Sequence, residues 1–217
     1  MGYKILNQEV SKKVAAYLLE IDAIKINTAK PYTWTSGIKS PIYCDNRQTL
    51  SYPEIRNYIK QSLAEAVRTS FADVDVIAGV ATAGIPQGAL VADTLQLPFN
   101  YVRASAKKHG MGNQVEGKII AGNKAVLVED LVSTGGSSLA AAQSLHDAGY
   151  IIRGIVSIFT YGFPTADEEF EKVNVPLISL SHFPAMLEQA LAMGKIDEEQ
   201  MKMLKSWRVD PKNWKGK

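Results

Sequence analysis

Ala125-Val126-Leu127-Val128-Glu129-Asp130-Leu131-Val132-Ser133-Thr134-Gly135-Gly136-Ser137-Ser138 is the stretch on which the reading of this chain turns. Its apolar start predicts a buried strand over Lys124–Glu129, with Glu129 and Asp130 at the point where the chain leaves the sheet. Two adjacent acids at the end of a buried strand serve no packing purpose. Carboxylates placed there can accept hydrogen bonds from two vicinal hydroxyls. The turn Ser133-Thr134-Gly135-Gly136-Ser137 then leads into a helix predicted over Ser137–Ala148 and stopped by Gly149. Unpaired N–H groups and the helix dipole at such a start favour a phosphate. Glycine lets the backbone approach an anion closely, and Ser and Thr hydroxyls add donors. A plainer reading makes Ser137 an N-cap and Gly135-Gly136 a simple turn, and it leaves the acids unexplained. The chain has no GxxxxGK[ST] and no GxGxxG after the first strand of a βαβ unit, so the commoner nucleotide signatures do not apply.

Working outward, Val74–Val80 is a β-branched run that predicts a strand buried on both faces. Helix Gly84–Leu95, strand Phe99–Arg103, strand Lys124–Glu129, helix Ser137–Ala148 and strand Ile151–Thr160 follow. This alternation predicts an α/β fold with a central, mostly parallel sheet flanked by helices. Ligands in such sheets sit at the carboxyl ends of the strands. The loops after Val80, Arg103, Asp130 and Thr160 are therefore the candidate functional loops. Before this core come a helix over about 8–22, a turn-rich stretch from Pro31 to Pro41, a short strand Ile42–Asp45 and a helix over about 53–69 opened by Pro53. After it come a helix Asp167–Val173, a strand Leu177–Leu180 and helices Ala185–Met193 and Asp197–Trp207. The expectation is a single domain over 1–217, with the core sheet in about 70–162. About 1–50 and 163–217 contribute a small cap, and 104–117 forms a mobile lid loop.

Lys and Arg number 24 against 22 Asp and Glu, a balance of +2 that gives no argument for a nucleic-acid or membrane partner, and none is expected. Cys44 is the only cysteine, so no internal disulfide can form, which fits a reducing compartment. The amino-terminal segment lacks a signal-peptide core, and no apolar run approaches the roughly 20 residues of a membrane span. A cytoplasmic protein is expected. His146, His182, Trp34, Trp207, Trp214 and Cys44 are read as structural or surface residues, and Asp167-Glu168-Glu169 as favourable charge at a helix start.

The apolar strand followed by Glu-Asp-x-x-Ser-Thr-Gly-Gly-Ser resembles the phosphoribosyl-diphosphate-binding motif of type I phosphoribosyltransferases. Thr35-Ser36-Gly37-Ile38-Lys39-Ser40-Pro41-Ile42-Tyr43 resembles the amino-terminal turn of the orotate phosphoribosyltransferases among them. Arg103-Ala104-Ser105-Ala106-Lys107-Lys108-His109-Gly110 is similar to that family's mobile loop. The order and spacing of the three segments match over roughly residues 10–210.

The resemblance implies transfer of phosphoribosyl from 5-phosphoribosyl 1-diphosphate to N1 of orotate. It places Arg103, Lys107, His109, Glu129, Asp130, Leu131, Val132, Ser133, Thr134, Gly135, Gly136 and Ser137 on the phosphoribosyl diphosphate. Lys107, His109 and Asp130 are the catalytic candidates, and Ser133 is the candidate for the pyrimidine. It further implies Mg²⁺ held mainly through substrate and water, and a homodimer in which the lid acts in trans. Lys39 is either a positive charge for the base or a solvated lysine. Gly79–Pro86 is either a second anion cradle or a tight turn. Some family members carry Lys where this chain has Thr35, Tyr-Lys at Thr82-Ala83, Lys at Ala104 and Arg near Thr160–Gly162. Recognition of the orotate carboxylate is therefore left open. Two alternatives stand beside this reading: the same fold acting on a purine or uracil, and a non-catalytic, nucleotide-sensing relative that binds RNA.

Overall fold

The computed structural model describes residues 2–34, 37–105 and 114–214. In chain order the elements are β1 (Tyr3–Ile5), α1 (Gln8–Glu20), β2 (Ile24–Ile26), β3 (Tyr32–Thr33), β4 (Lys39–Ser40), β5 (Ile42–Cys44), a 3-10 turn (Asn46–Ser51) and α2 (Pro53–Ser70). Then follow β6 (Val76–Val80), α3 (Gly84–Leu95), β7 (Phe99–Val102), β8 (Val115–Glu116), β9 (Lys124–Val132), α4 (Gly136–Asp147) and β10 (Ile151–Thr160). The chain continues through α5 (Pro164–Lys172), β11 (Leu177–His182), α6 (Phe183–Ala192) and α7 (Glu198–Val209).

Seven strands form the main sheet in the order β1-β11-β10-β9-β6-β7-β8. All pairs are parallel except β7 with β8. The α/β expectation holds, and the physical reason is visible along β9. Successive side chains of a strand point to opposite faces. Val126 and Val128 pack into the core on one face, Ala125 and Leu127 into the core on the other, and all four are fully buried. A strand covered on both faces has to be apolar at every position, as this one is up to Val128.

Two differences from expectation bear on the site. β9 runs three residues beyond Glu129, because pairing with β10 continues through Leu131–Phe159 and Val132–Thr160. The two acids thus sit inside the strand rather than past it. The sheet also extends outside 70–162: β11 pairs with β10, and β1, only three residues long, pairs with β11. Three residues are too few to show periodicity, so Tyr3–Ile5 carried no strand signal.

Helix α3 lies unusually close to the sheet. A Cβ on Gly84 would stand 2.3 Å from the Val128 carbonyl oxygen, and one on Gly79 would stand 2.8 Å from Ile85 Cα. Glycine is thus required where α3 starts against β6 and β9. Segments from both ends of the chain meet over the carboxyl end of β10. Trp207 of α7 is fully buried and donates Nε1–H to the Lys39 carbonyl at 3.0 Å. Trp34 packs against Tyr161, Phe163 and Trp207 and donates Nε1–H to the Ile42 carbonyl at 3.1 Å. Trp34 and Trp207 are thus packing residues with their indole N–H groups paired, and Trp214 is partly buried against the same core. No helix among the described residues is long and apolar enough to cross a membrane.

Candidate active site

The carboxyl ends of β6, β7, β9 and β10 face the same way because the strands are parallel, and the loops after Val80, Val102, Val132 and Thr160 lie side by side. A cavity of about 820 Å³ opens at the other edge, lined by Lys4, Arg153 and Glu171 among others. It lies at the amino ends of the strands, away from the acids and the glycine turn, so we place the site by topology rather than by cavity size.

Strand alternation separates the two acids. Glu129 shares the face of Ala125 and Leu127, beneath α4, and is buried. It accepts a hydrogen bond from Ser138 Oγ at 3.1 Å and another from the Asp130 backbone N–H at 3.1 Å. Burial, then the neighbouring Asp130 charge, pushes the Glu129 carboxyl well above the usual carboxylate range. Asp130 takes the opposite face and is half-buried. Burial raises it too, while the Arg47 guanidinium favours its charged form. Asp130 is therefore the more accessible acid of the two, and Glu129 is the one that holds a proton more readily.

This raised carboxyl has a consequence for stability. A group whose folded-state pKa lies above its unfolded value stabilises the fold below the unfolded value and loses that contribution as pH rises through the folded one. Glu129→Gln keeps an acceptor for Ser138 Oγ, gives up the one for the Asp130 N–H and removes the titration. The stability of the variant relative to the parent is therefore expected to be higher at pH 8 than at pH 5. Thermal melts at the two pH values check it.

At the turn after β9, Gly135 has φ of +82° and is the residue before α4. A Cβ there would meet the Phe170 ring at 2.7 Å, so glycine is needed on both counts. Ser137 is not the N-cap; Gly135 is, and no side chain caps this helix. Thr134, Gly136 and Ser137 are exposed and Ser133 is half-buried, which leaves an uncapped helix start open to an anion. Val132 has its side chain in the core, so any contact from it has to come from the main chain, while Leu131 is half-buried and packs against the core edge. The Val132 carbonyl is already taken, accepting from Thr160 Oγ1 at 3.1 Å and Tyr161 N at 3.1 Å. Arg208 of α7 donates through Nε to the Tyr161 carbonyl at 2.8 Å and through a terminal nitrogen to the Gly162 carbonyl.

Arg103 follows β7 directly. Its backbone N–H donates to the Gln114 carbonyl at 2.9 Å, and its guanidinium lies 3.6 Å from Glu116 Oε1. The β7–β8 pairing thus brings the two ends of the expected lid together at the mouth of the site. Lys107 and His109 lie outside the described residues, as do Thr35 and Ser36 of the amino-terminal turn. Lys39 is exposed and donates Nζ–H to Thr33 Oγ1 at 2.8 Å, within the β3–β4 pair. In the loop after β6, Thr82 is exposed and Ala81 and Ala83 are half-buried. His182 accepts or donates at Nδ1 with the Tyr3 hydroxyl at 3.0 Å, and His146 is a surface neighbour of Asp147.

Three residues of this region had no sequence signal: Ser138, Asn46 and Arg47. Ser138 is nine residues from Glu129 and Asn46 is 84 from Asp130, and no periodicity links such pairs. Among the described residues no group of three or more His, Cys, Asp or Glu could hold a metal ion. One accessible carboxylate above a buried one is a donor set that suits a hard cation carried mainly by a ligand's own oxygens and by water.

Comparison with known proteins places the chain. Residues 47–184 match the model of the phosphoribosyl transferase domain. The orotate phosphoribosyltransferase of Bacteroides thetaiotaomicron is 50% identical over 207 residues, which cover 95% of this chain and 98% of that protein. The orotate phosphoribosyltransferase of Listeria monocytogenes is 49% identical over 94% of this chain and 98% of its own. Among solved structures, the orotate phosphoribosyltransferase of Aeropyrum pernix superposes with a TM-score of 0.74 at 28% identity, covering 85% of this chain and 99% of that one.

Proposed function

For a chain that belongs to the phosphoribosyl transferase family, and within it to the orotate phosphoribosyltransferases, we propose that the β9–turn–α4 unit binds 5-phosphoribosyl 1-diphosphate and that the acceptor is orotate. The observation that carries the site is the placement, within one continuous segment, of an accessible carboxylate and an uncapped helix start opened by a left-handed glycine. The first suits a ribose diol and the second a 5-phosphate.

In this reading Asp130 accepts from the ribose hydroxyls, with Glu129 behind it, tied to Ser138 and to the Asp130 N–H. Thr134, Gly135, Gly136 and Ser137 surround the 5-phosphate, and the main chain of Leu131 and Val132 lines the approach. Ser133 hydrogen-bonds the pyrimidine. Orotate, its N1 proton already lost to solvent, attacks C1 through the N1 lone pair, the C1–O bond breaks, and the electron pair leaves with the diphosphate. Negative charge therefore grows on the diphosphate, where Lys107, His109 and Arg103 act. Closing the lid over the site excludes water from the oxocarbenium-like ribose. Asp130 is the protein carboxylate best placed to share Mg²⁺, which when bound neutralises charge on the diphosphate. The enzyme works as a homodimer with the lid reaching the partner's site, in the cytoplasm, where a lone cysteine stays reduced.

The test is a product assay with orotate, uracil, adenine and hypoxanthine side by side, each with phosphoribosyl diphosphate and Mg²⁺. Orotidine monophosphate as the sole product supports the reading; a purine or uridine nucleotide moves the chain to another acceptor. Lys107→Ala is expected to lower kcat by about tenfold or more while KM for phosphoribosyl diphosphate stays within about threefold. Unchanged turnover in steady-state kinetics removes Lys107 from the leaving-group contacts.

A further inference from the structure

The pairing of β6 with β9 stops at Gly79–Val128, so Asp130 lies where the sheet supports β9 only from the β10 side. At that point a residue from the distant amino-terminal segment reaches the strand. Asn46, fully buried in the 3-10 turn, donates Nδ2–H to the Asp130 carbonyl at 2.7 Å. Its other groups are occupied as well. Oδ1 accepts from the Cys44 thiol at 3.3 Å, and the Asn46 carbonyl accepts from Thr49 Oγ1 at 2.6 Å. Thr49 Oγ1 in turn accepts from Gln87 Nε2 of α3 at 3.1 Å. An amide engaged at both ends and tied to β5 and α3 has one orientation available, and it transmits that orientation to the main chain of Asp130.

Its neighbours act on the same acid by charge. Asp45 accepts from the Arg47 backbone N–H at 3.2 Å, from Nε at 2.6 Å and from a terminal nitrogen at 2.9 Å. Burial raises the Asp130 carboxyl, and the charge of Arg47, held in this fork, offsets part of that rise.

We propose that Asn46 is a positioning residue for the transfer reaction: it fixes the Asp130 main chain so that the carboxylate stands where the ribose hydroxyls bind. The proposal rests on the assignment of phosphoribosyl diphosphate to the β9–turn–α4 unit. It makes the 3-10 turn, which carries none of the residues assigned to the substrate, a determinant of affinity for the sugar phosphate. A purely structural role, satisfying one buried carbonyl, predicts something different. It would lower stability and leave Asn46 and Asp130 energetically independent.

A double-mutant cycle separates the two. Phosphoribosyl diphosphate binding is measured by calorimetry, and KM and kcat with orotate by steady-state kinetics, for the parent, Asn46→Ala, Asp130→Asn and the double variant. Asn46→Ala is expected to weaken binding and raise KM by about tenfold, with kcat within about threefold. In the Asp130→Asn background the same substitution should change either quantity by less than about twofold. An equal penalty in both backgrounds, or unchanged binding in the single variant, overturns the positioning role. Asn46→Gln, which keeps the amide but moves it by one methylene, carries the same expectation if the alanine variant does not fold. Failure of the parent to bind phosphoribosyl diphosphate overturns the site assignment itself, and with it the proposal. A parent that binds it and turns over orotate leaves the cycle to judge Asn46 alone.

Discussion

Replacing Asp130 with Asn is expected to cut kcat/KM for phosphoribosyl diphosphate by about 100-fold or more. A hydrogen bond to a charged group contributes about 1.5–3 kcal/mol, and a vicinal diol offers two of them to one carboxylate. Loss of about 3 kcal/mol corresponds to a factor of about 100. Asparagine keeps the size of the side chain but gives up the charge and one acceptor oxygen. Asp130 is also the half-buried member of the acid pair, with Arg47 supporting its ionised form. Glu129→Gln should cost less than about tenfold, because Glu129 is buried against Ser138 and its carboxyl is already biased towards the proton-bearing form that glutamine imitates. Steady-state kinetics on the two variants checks the ordering. Equal losses would mean that the acids act as one unit on the diol, as the sequence by itself suggests.

Gly84→Ala is expected to destabilise the fold by about 3 kcal/mol, or about 6–12 °C in Tm. The added methyl would stand 2.3 Å from the Val128 carbonyl oxygen, a main-chain atom of the central strand that cannot swing aside. Either α3 retreats or β9 bends, and both displace the loop 81–83 and the acids that follow Val128. Activity should therefore fall along with stability. Gly136→Ala is the internal comparison. Nothing lies within 4 Å of a Cβ at Gly136, and its φ is not in the left-handed region, so Tm should move by about 1 °C or less. Thermal melts of the two variants, with circular dichroism to confirm the fold, decide the matter.

The central layer was legible because its signals are local. Val126 and Val128 alternate with Ala125 and Leu127, α3 and α4 start at glycine and α2 at proline, α4 stops just before Gly149, and the order strand-helix-strand leaves one handedness of crossover. The acids and the glycine turn were legible for the same reason: strand, ligand groups and helix start are contiguous. Beyond this, short strands and distant contacts escape. β1 has three residues and β3 and β4 two each, too few for any periodicity to register.

The division between local and long-range information also runs through the site. Adjacency in the chain is enough to place a carboxylate next to an uncapped helix start, since backbone geometry alone enforces it. It does not say which of two neighbouring acids is accessible. That depends on what covers each face of β9: α4 with Ser138 over Glu129, and the 3-10 turn with Asn46 and Arg47 beside Asp130. Charge state follows burial, and burial is a property of the packed layers, so identical local chemistry at positions 129 and 130 becomes two different carboxyls only once the chain has folded.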